Sequence, residues 1–153
     1  MGKQGVTQLT VNEASGDFTH VLVLDYNDII AAGTTATEFA TIPAGGGVDV
    51  AVVYEATALA GATDITLDVG TTVGDPDEFI DNLDVDGMSA PVANTGESLV
   101  QSAGNTTIAG GSLPVGLTQS DAKVYYKFGG TTGDLTAGKV IIGLRIFDLG
   151  RFA

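Results

Sequence analysis

Apolar residues that recur at every second position, in short runs cut by glycine and threonine, restrict this chain more than any other feature. Val48, Val50, Val52 and Tyr54 fall on one face of such a run, and Asp49, Ala51, Val53 and Glu55 on the other. Ile65, Leu67 and Val69 alternate with Thr66 and Asp68. Val124, Tyr126 and Phe128 oppose Tyr125 and Lys127, and Val140, Ile142, Leu144 and Ile146 oppose Ile141, Gly143, Arg145 and Phe147. A period of two is the strand period. The intervening stretches "AAGTTATE", "PAGGGVDV", "NTTIAGGS" and "FGGTTGDLTAGK" are turn chemistry. Short strands between repeated turns predict an all-β fold, an antiparallel β-sandwich of jelly-roll-like type.

Two runs, "HVLVLDY" and "KVIIGLRIF", are apolar on both faces. Such strands belong in the middle of a sheet that is covered on both sides, and the second cover can be a neighbouring subunit. With 153 residues the chain has enough length for one sizeable core. Residues 1–16 read as a polar N-terminal arm, and residues 17–153 as a single β-sandwich domain. Met88 to Gly111 is small, polar and weakly periodic, so it reads as a long excursion with at most one strand pair. One short helix is expected from Asp75. Asp75 suits an N-cap, Pro76 the first helical position, and Asp77 and Glu78 the positive end of the dipole, with Phe79 and Leu83 turned inward.

The charge is strongly one-sided. Six Lys and Arg face 19 Asp and Glu, a formal −13. That balance repels phosphate backbones and anionic headgroups, so neither nucleic acid nor membrane is an expected partner. The apolar runs "VLVL" and "VIIGL" are far shorter than the ~20 residues a spanning helix needs. "MGKQGVTQLTVNE" lacks the apolar centre of a signal peptide.

Eight carboxylates crowd into "GATDITLDVGTTVGDPDEFIDNLDVDG": Asp64, Asp68, Asp75, Asp77, Glu78, Asp81, Asp84 and Asp86. An EF-hand loop started at Asp75 would put Phe79 and Ile80 at positions that require a ligand and a glycine, and a start at Asp84 fits no better. The cluster therefore reads as helix cap and solvated turn, with no metal. "GDLTAGKV" approaches a phosphate loop in Gly133, Gly138 and Lys139, but Val140 stands where Ser or Thr would hold magnesium, and a β-rich run follows. Lys139 reads as the start of a strand. "NTT" at Asn105 is a chance glycosylation match, and "KVYYKF", Lys123 to Phe128, is a strand with an amphipathic outer side. The chain contains no Cys and one histidine, His20, so the usual nucleophile–base pairs and His-rich zinc sites cannot be assembled. With no Trp and 7% aromatic residues, it also lacks the platforms of a sugar-cleaving cleft. No catalytic, cofactor or metal residue is expected, and the chain is not expected to be an enzyme.

Two longer stretches carry a resemblance. "AVVYEATALAGATDITLDVGTTVGDPDEFIDNLDV" (Ala51 to Val85) and "YYKFGGTTGDLTAGKVIIGLRIFDL" (Tyr125 to Leu149) resemble small virion structural proteins of tailed bacteriophages, of the head decoration or cement type. With "HVLVLDYNDIIAAGTTATEFATIPAGGG", read as a strand, a Thr-rich hairpin and a Pro-Ala-Gly turn, the likeness runs from Phe18 to Leu149. The resemblance implies a jelly-roll sandwich on the capsid surface, made in the host cytoplasm. It implies a homo-oligomer, expected to be a trimer, bound to the phage major capsid protein and stabilising the head without chemistry. A tail, baseplate or fibre protein, or a calcium- or carbohydrate-binding sandwich, is the alternative. No functional residue is carried over, because the family pattern has none.

Overall fold

The alternation becomes two antiparallel sheets. The computed structural model describes residues 18–88, 90–94 and 120–152, together with the short strand segments 6–7 and 99–100. The strands are β1 (Val6–Thr7), β2 (His20–Asp25), β3 (Thr37–Ile42), β4 (Gly46–Ala60), β5 (Thr66–Gly70), β6 (Ile80–Asp84), β7 (Val92–Asn94), β8 (Leu99–Val100), β9 (Ala122–Gly129) and β10 (Ala137–Asp148). One sheet has the order β1-β2-β10-β4-β7-β8 and the other β3-β9-β5-β6. The pairs β2·β10, β3·β9, β4·β7 and β5·β6 are all antiparallel and nest inside one another along the chain. A long hairpin with its tip between β5 and β6, rolled up on itself, gives this order. It is the jelly roll, with two four-stranded layers, and β1 and β8 lengthen the first layer at its edges.

One apolar core fills the space between the layers. Leu22, Leu24, Ala51, Val53, Val140, Ile142 and Leu144 of the larger sheet meet Ile42, Leu67, Val69, Val124, Tyr126 and Phe128 of the smaller one. The expected inward faces of β5, β9 and β10 are the observed ones. Strand β10 lies between β2 and β4, as its two-sided apolar sequence requires.

Strand β4 differs from the simple alternation. Val50 pairs with Arg145 but Val48 with Ile146, so Asp49 is an extra residue. This bulge turns Val48 into the core beside Ala51, Val53 and Glu55, while Val50, Val52 and Tyr54 look outward. Val48 therefore does not share a face with Val50, Val52 and Tyr54. Two further irregularities lie at the other end, where Thr57 pairs with Lys139 and Ala60 with Ala137. They leave the Leu59 N–H outside the ladder, and it donates to the buried Glu55 carboxylate at 2.7 Å.

The α-helix of the described residues is α1 (Tyr26–Ala32), not a helix at Asp75. Asp25 caps it: Asp28 N–H donates to Asp25 Oδ1 at 3.0 Å, and Asp25 N–H donates to Asp28 Oδ2 at 3.1 Å. This reciprocal cap needs acceptors three apart, and "DYND" supplies them. Gly33 ends the helix at φ +58°. Near Asp75, Phe79 N–H donates to Val69 O and Ile80 to Asp84 pairs with β5, so the run continues as strand. Sheet pairing and burial of Phe79, Ile80 and Leu83 override the local capping signal. The Thr-rich segment after α1 is not a hairpin, because β2 and β3 lie in different sheets. The arm assigned to residues 1–16 lies outside the described residues, apart from Val6–Thr7 paired with β2. The excursion carries the pair β7·β8, and Asn105 lies outside the described residues.

Gly138 explains why "LTAGKV" is spelled as it is. Its φ is +129°, and a Cβ there would run into the Leu59 side chain and lie 2.8 Å from the Leu59 Cα. Gly133 has open space around it. Gly138→Ala is therefore expected to lower the unfolding free energy by about 2–4 kcal/mol. Gly133→Ala is expected to change it by less than about 0.5 kcal/mol. Urea denaturation of the two variants beside the wild type measures both.

Candidate functional site: an acidic hairpin and an apolar sheet face

The acidic segment forms the β5–β6 hairpin and its flanks, at the edge of the smaller sheet. Four of its eight carboxylates, Asp64, Asp68, Glu78 and Asp84, accept backbone N–H groups. Glu78 takes the N–H of Thr71 at 2.8 Å, the Thr71 hydroxyl at 3.1 Å, and both the N–H and the hydroxyl of Thr72. Gly70 has no side chain where Glu78 Oε2 approaches, and a Cβ would collide with it. Asp68 accepts from the N–H of Asn82, whose φ is +52°. Asp64 accepts from the Thr131 N–H at 3.2 Å and its hydroxyl at 2.8 Å, which ties the hairpin flank to the β9–β10 turn. Asp84 accepts from Asp86 N–H at 3.0 Å.

Protonation follows these contacts. Burial pushes Glu78 up, but the Thr72 hydroxyl and then the backbone donors outweigh it and hold the carboxyl below its ordinary range. The Thr131 donors lower Asp64. Burial raises Asp68, helped by the charges of Asp81 and Asp75, against the Asn82 N–H and Lys127. Burial, then Asp77 and Asp75, raise Asp81. Burial, then Glu55, Asp84 and Asp64, raise Asp86. The segment thus combines fastened carboxylates with crowded ones. Among the described residues, no three His, Asp or Glu side chains converge in a metal-holding cluster.

The other motifs resolve into scaffold. Lys139 is exposed on β10, across from Asp25. Lys123 pairs with Glu38 at 3.1 Å, and Lys127 reaches Gly74 O at 3.4 Å, so the outer side of "KVYYKF" is held within the chain. His20 heads β2, its Nδ1 is 2.9 Å from the Thr19 hydroxyl, and burial lowers its pKa.

The outer face of the larger sheet is different. Gly143 pairs with Val21 on one side and Val52 on the other, and the neighbouring row is Val23, Ile141 and Tyr54. With no side chain at Gly143, the row Val21–Gly143–Val52 has a depression at its centre. Phe18 leans across it: a Cβ on Gly143 would be 3.0 Å from the Phe18 ring. Phe18 and Pro91, with Val21, Val52, Tyr54, Ile141 and Gly143, line a groove of about 260 Å³ whose surface is almost wholly apolar. Tyr54 remains 40% exposed. Among the described residues the charges flanking the patch stand in opposite-sign pairs: Arg145 pairs with Asp49 at 2.9 Å on one end, and Lys139 lies opposite Asp25 at the other. The two-sided apolar runs hint at this face. The groove itself depends on the position of Gly143 between two valines from distant parts of the chain, and no local pattern reveals that.

Comparison of the chain with family models, with curated proteins and with solved structures gives no match. The class that stands on the geometry is an all-β jelly-roll sandwich with one short α-helix among its described residues.

Glu78 has a lower pKa folded than unfolded, so its stabilisation is whole above the unfolded value of about 4.3 and fades as the pH falls through the folded value. Glu78→Gln is expected to cost about 1–2 kcal/mol at pH 7 and progressively less in acid. Asp81 has the opposite sign: its ionisation costs stability as pH rises through the raised folded value, so Asp81→Asn slightly stabilises at pH 7. Thermal melts at neutral and acid pH compare the two. Equal pH dependence in both variants would contradict this assignment.

Proposed function

We propose that this chain is a non-catalytic structural protein of a tailed-phage virion, of the head decoration or cement kind. It binds the outer capsid lattice through non-covalent contacts and associates with copies of itself. The observation that carries the reading is the division of its surface. The hairpin carboxylates Glu78, Asp68 and Asp64 hold the chain's own backbone, and among the described residues the apolar face of β2, β10 and β4 stays partly exposed, which suits docking. A protein that works by docking needs such a face, and it needs rigid loops around it.

Jelly rolls serve capsid subunits and lectins alike, so the surface has to decide between them. A sugar is recognised by polar side chains that meet its hydroxyls. The groove between Phe18 and Pro91 is lined by Val21, Val52, Tyr54, Ile141 and Gly143, whose one side-chain hydrogen-bonding group is the Tyr54 hydroxyl, so it suits apolar side chains of a protein neighbour better than the hydroxyls of a sugar. The resemblance of Ala51–Val85 and Tyr125–Leu149 to decoration proteins supports the capsid as the docking partner. Net charge of −13 keeps the free protein soluble while it accumulates in the host cytoplasm.

The test is to mix the purified chain with phage heads that lack their decoration protein and sediment them. The protein is expected in the pellet with the heads, and the heads are expected to withstand higher temperature than bare ones, since a ligand of the assembled state stabilises it. Recovery entirely in the supernatant, with no change in head stability, would overturn the reading. Binding to tails or baseplates instead would move the protein elsewhere on the virion.

A further inference from the structure

We propose that the Asp86–Gly87 peptide is a modification site, where the folded chain converts aspartate to isoaspartate through a cyclic succinimide, with the buried Glu55 carboxylate taking the amide proton. In this reaction the amide nitrogen of the following residue attacks the aspartate's own side chain, and a side chain on that residue hinders the approach. Asp86 is followed by glycine, every other aspartate by a residue with a side chain, and the sequence has no Asn-Gly pair.

The turn leaves the reacting peptide free while holding its flanks. Strand β6 ends at Asp84, and Asp86 and Gly87 form the turn that follows. Val85 and Met88 on either side are buried, and Val85 N–H donates to Ile65 O at 3.1 Å. Asp86 N–H donates to Asp84 Oδ1 at 3.0 Å. Gly87 itself is exposed at φ +83°, and nothing lies within 4 Å of the place its Cβ would take. Its peptide plane therefore has room to turn towards the Asp86 side chain. Its N–H donates to Glu55 Oε2 at 3.4 Å.

Ring closure needs a nitrogen that gives up its proton and a carboxyl that can lose oxygen as water. Glu55 sits on the Gly87 N–H, where a base is required. Asp86 suits the role of electrophile. Burial, then the charges of Glu55, Asp84 and Asp64, make its carboxyl hold a proton more tightly than usual, and the neutral carboxyl is the form that expels water. The bond from Gly87 N to Asp86 Cγ forms as Glu55 takes the amide proton. The Cγ–OH bond breaks, and the hydroxyl leaves as water with that proton. Water then opens the ring, since Asp86 is partly exposed. Opening at Cγ restores aspartate. Opening at the α-carbonyl carbon leaves the backbone running through Cγ and frees an α-carboxylate. No atom is gained or lost overall, and nothing is oxidised. The isoaspartyl form has one extra backbone carbon between the buried Val85 and Met88, and it carries its new carboxylate at an exposed turn.

Ageing the folded full chain in heavy-oxygen water at neutral pH tests the proposal. Each ring opening places one heavy oxygen in the peptide that carries Asp86. Methyl transfer from labelled S-adenosylmethionine by an isoaspartyl methyltransferase counts the isoaspartate. The wild type is expected to gain both signals in that peptide. Asp86→Glu, which would have to close a six-membered ring, is expected to lose both. Glu55→Gln is expected to slow oxygen uptake at least about tenfold in the folded chain and to leave it unchanged in the urea-unfolded chain. A substitution that merely loosened the turn would speed the reaction, so a folding artefact has the opposite sign. Thermal melts establish that each variant is folded. An aged wild type that takes up no heavy oxygen at Asp86 and accepts no methyl group overturns the proposal. So does a folded Glu55→Gln chain that reacts as fast as the wild type or faster.

Discussion

The ladder between β4 and β10 is the joint on which the rest of the molecule depends. It brings Gly46–Ala60 against Ala137–Asp148, segments from opposite ends of the domain, and places β10 where β2 can pair on its other side. Because side chains alternate across a strand, a slip of one residue would exchange core and surface along the whole ladder. The register is pinned at both ends by irregularities that have their own partners. At one end the extra residue Asp49 pairs with Arg145. At the other, Glu55 takes up the displaced Leu59 N–H, and Gly138 leaves room for the Leu59 backbone. A slipped ladder would lose both fastenings and strand a carboxylate in the core.

Much of this was legible because it is local. The alternation of Val124, Tyr126 and Phe128, or of Val140, Ile142 and Leu144, is a property of neighbouring residues, and the structure keeps each of those faces. What could not be read depends on distant partners. Val48 turns inward because β10 offers one residue fewer than β4 at that point. Asp75-Pro76-Asp77-Glu78 spells a helix start, yet Phe79 and Ile80 gain more from pairing with β5 than a short helix would return. Meanwhile "DYNDII" carried a reciprocal cap in plain view, hidden behind the strand run that precedes it. The acidic segment reads as a helix cap and solvated turn but forms a strand hairpin, and its work of clamping Thr71, Thr72, Asn82 and Thr131 appears only once the loops are in space.

The carboxylates show how an acidic chain keeps ordered loops. A backbone N–H at a tight turn needs an acceptor, and a nearby carboxylate supplies a charge-assisted one. Glu78 and Asp64 gain from this and are held ionised. Asp68, Asp81 and Asp86 pay in crowding and partial burial. Both effects follow from concentrating anions at one edge of the smaller sheet.

The two sheets serve as each other's control. They share one solvent, one core and one pattern of antiparallel ladders. The outer face of the smaller sheet carries Thr66, Asp68, Lys123, Tyr125, Lys127 and Glu38, the polar dressing expected of a sheet with one wet side. The outer face of the larger sheet carries Val21, Val23, Val50, Val52 and Ile141 at equivalent alternating positions. Folding the sandwich demands apolar residues only on the inner faces, and the smaller sheet satisfies that demand with a polar exterior. Among the described residues the valines of the other exterior have no such polar dressing, and burial against an apolar surface is what the proposed docking contact would supply to them.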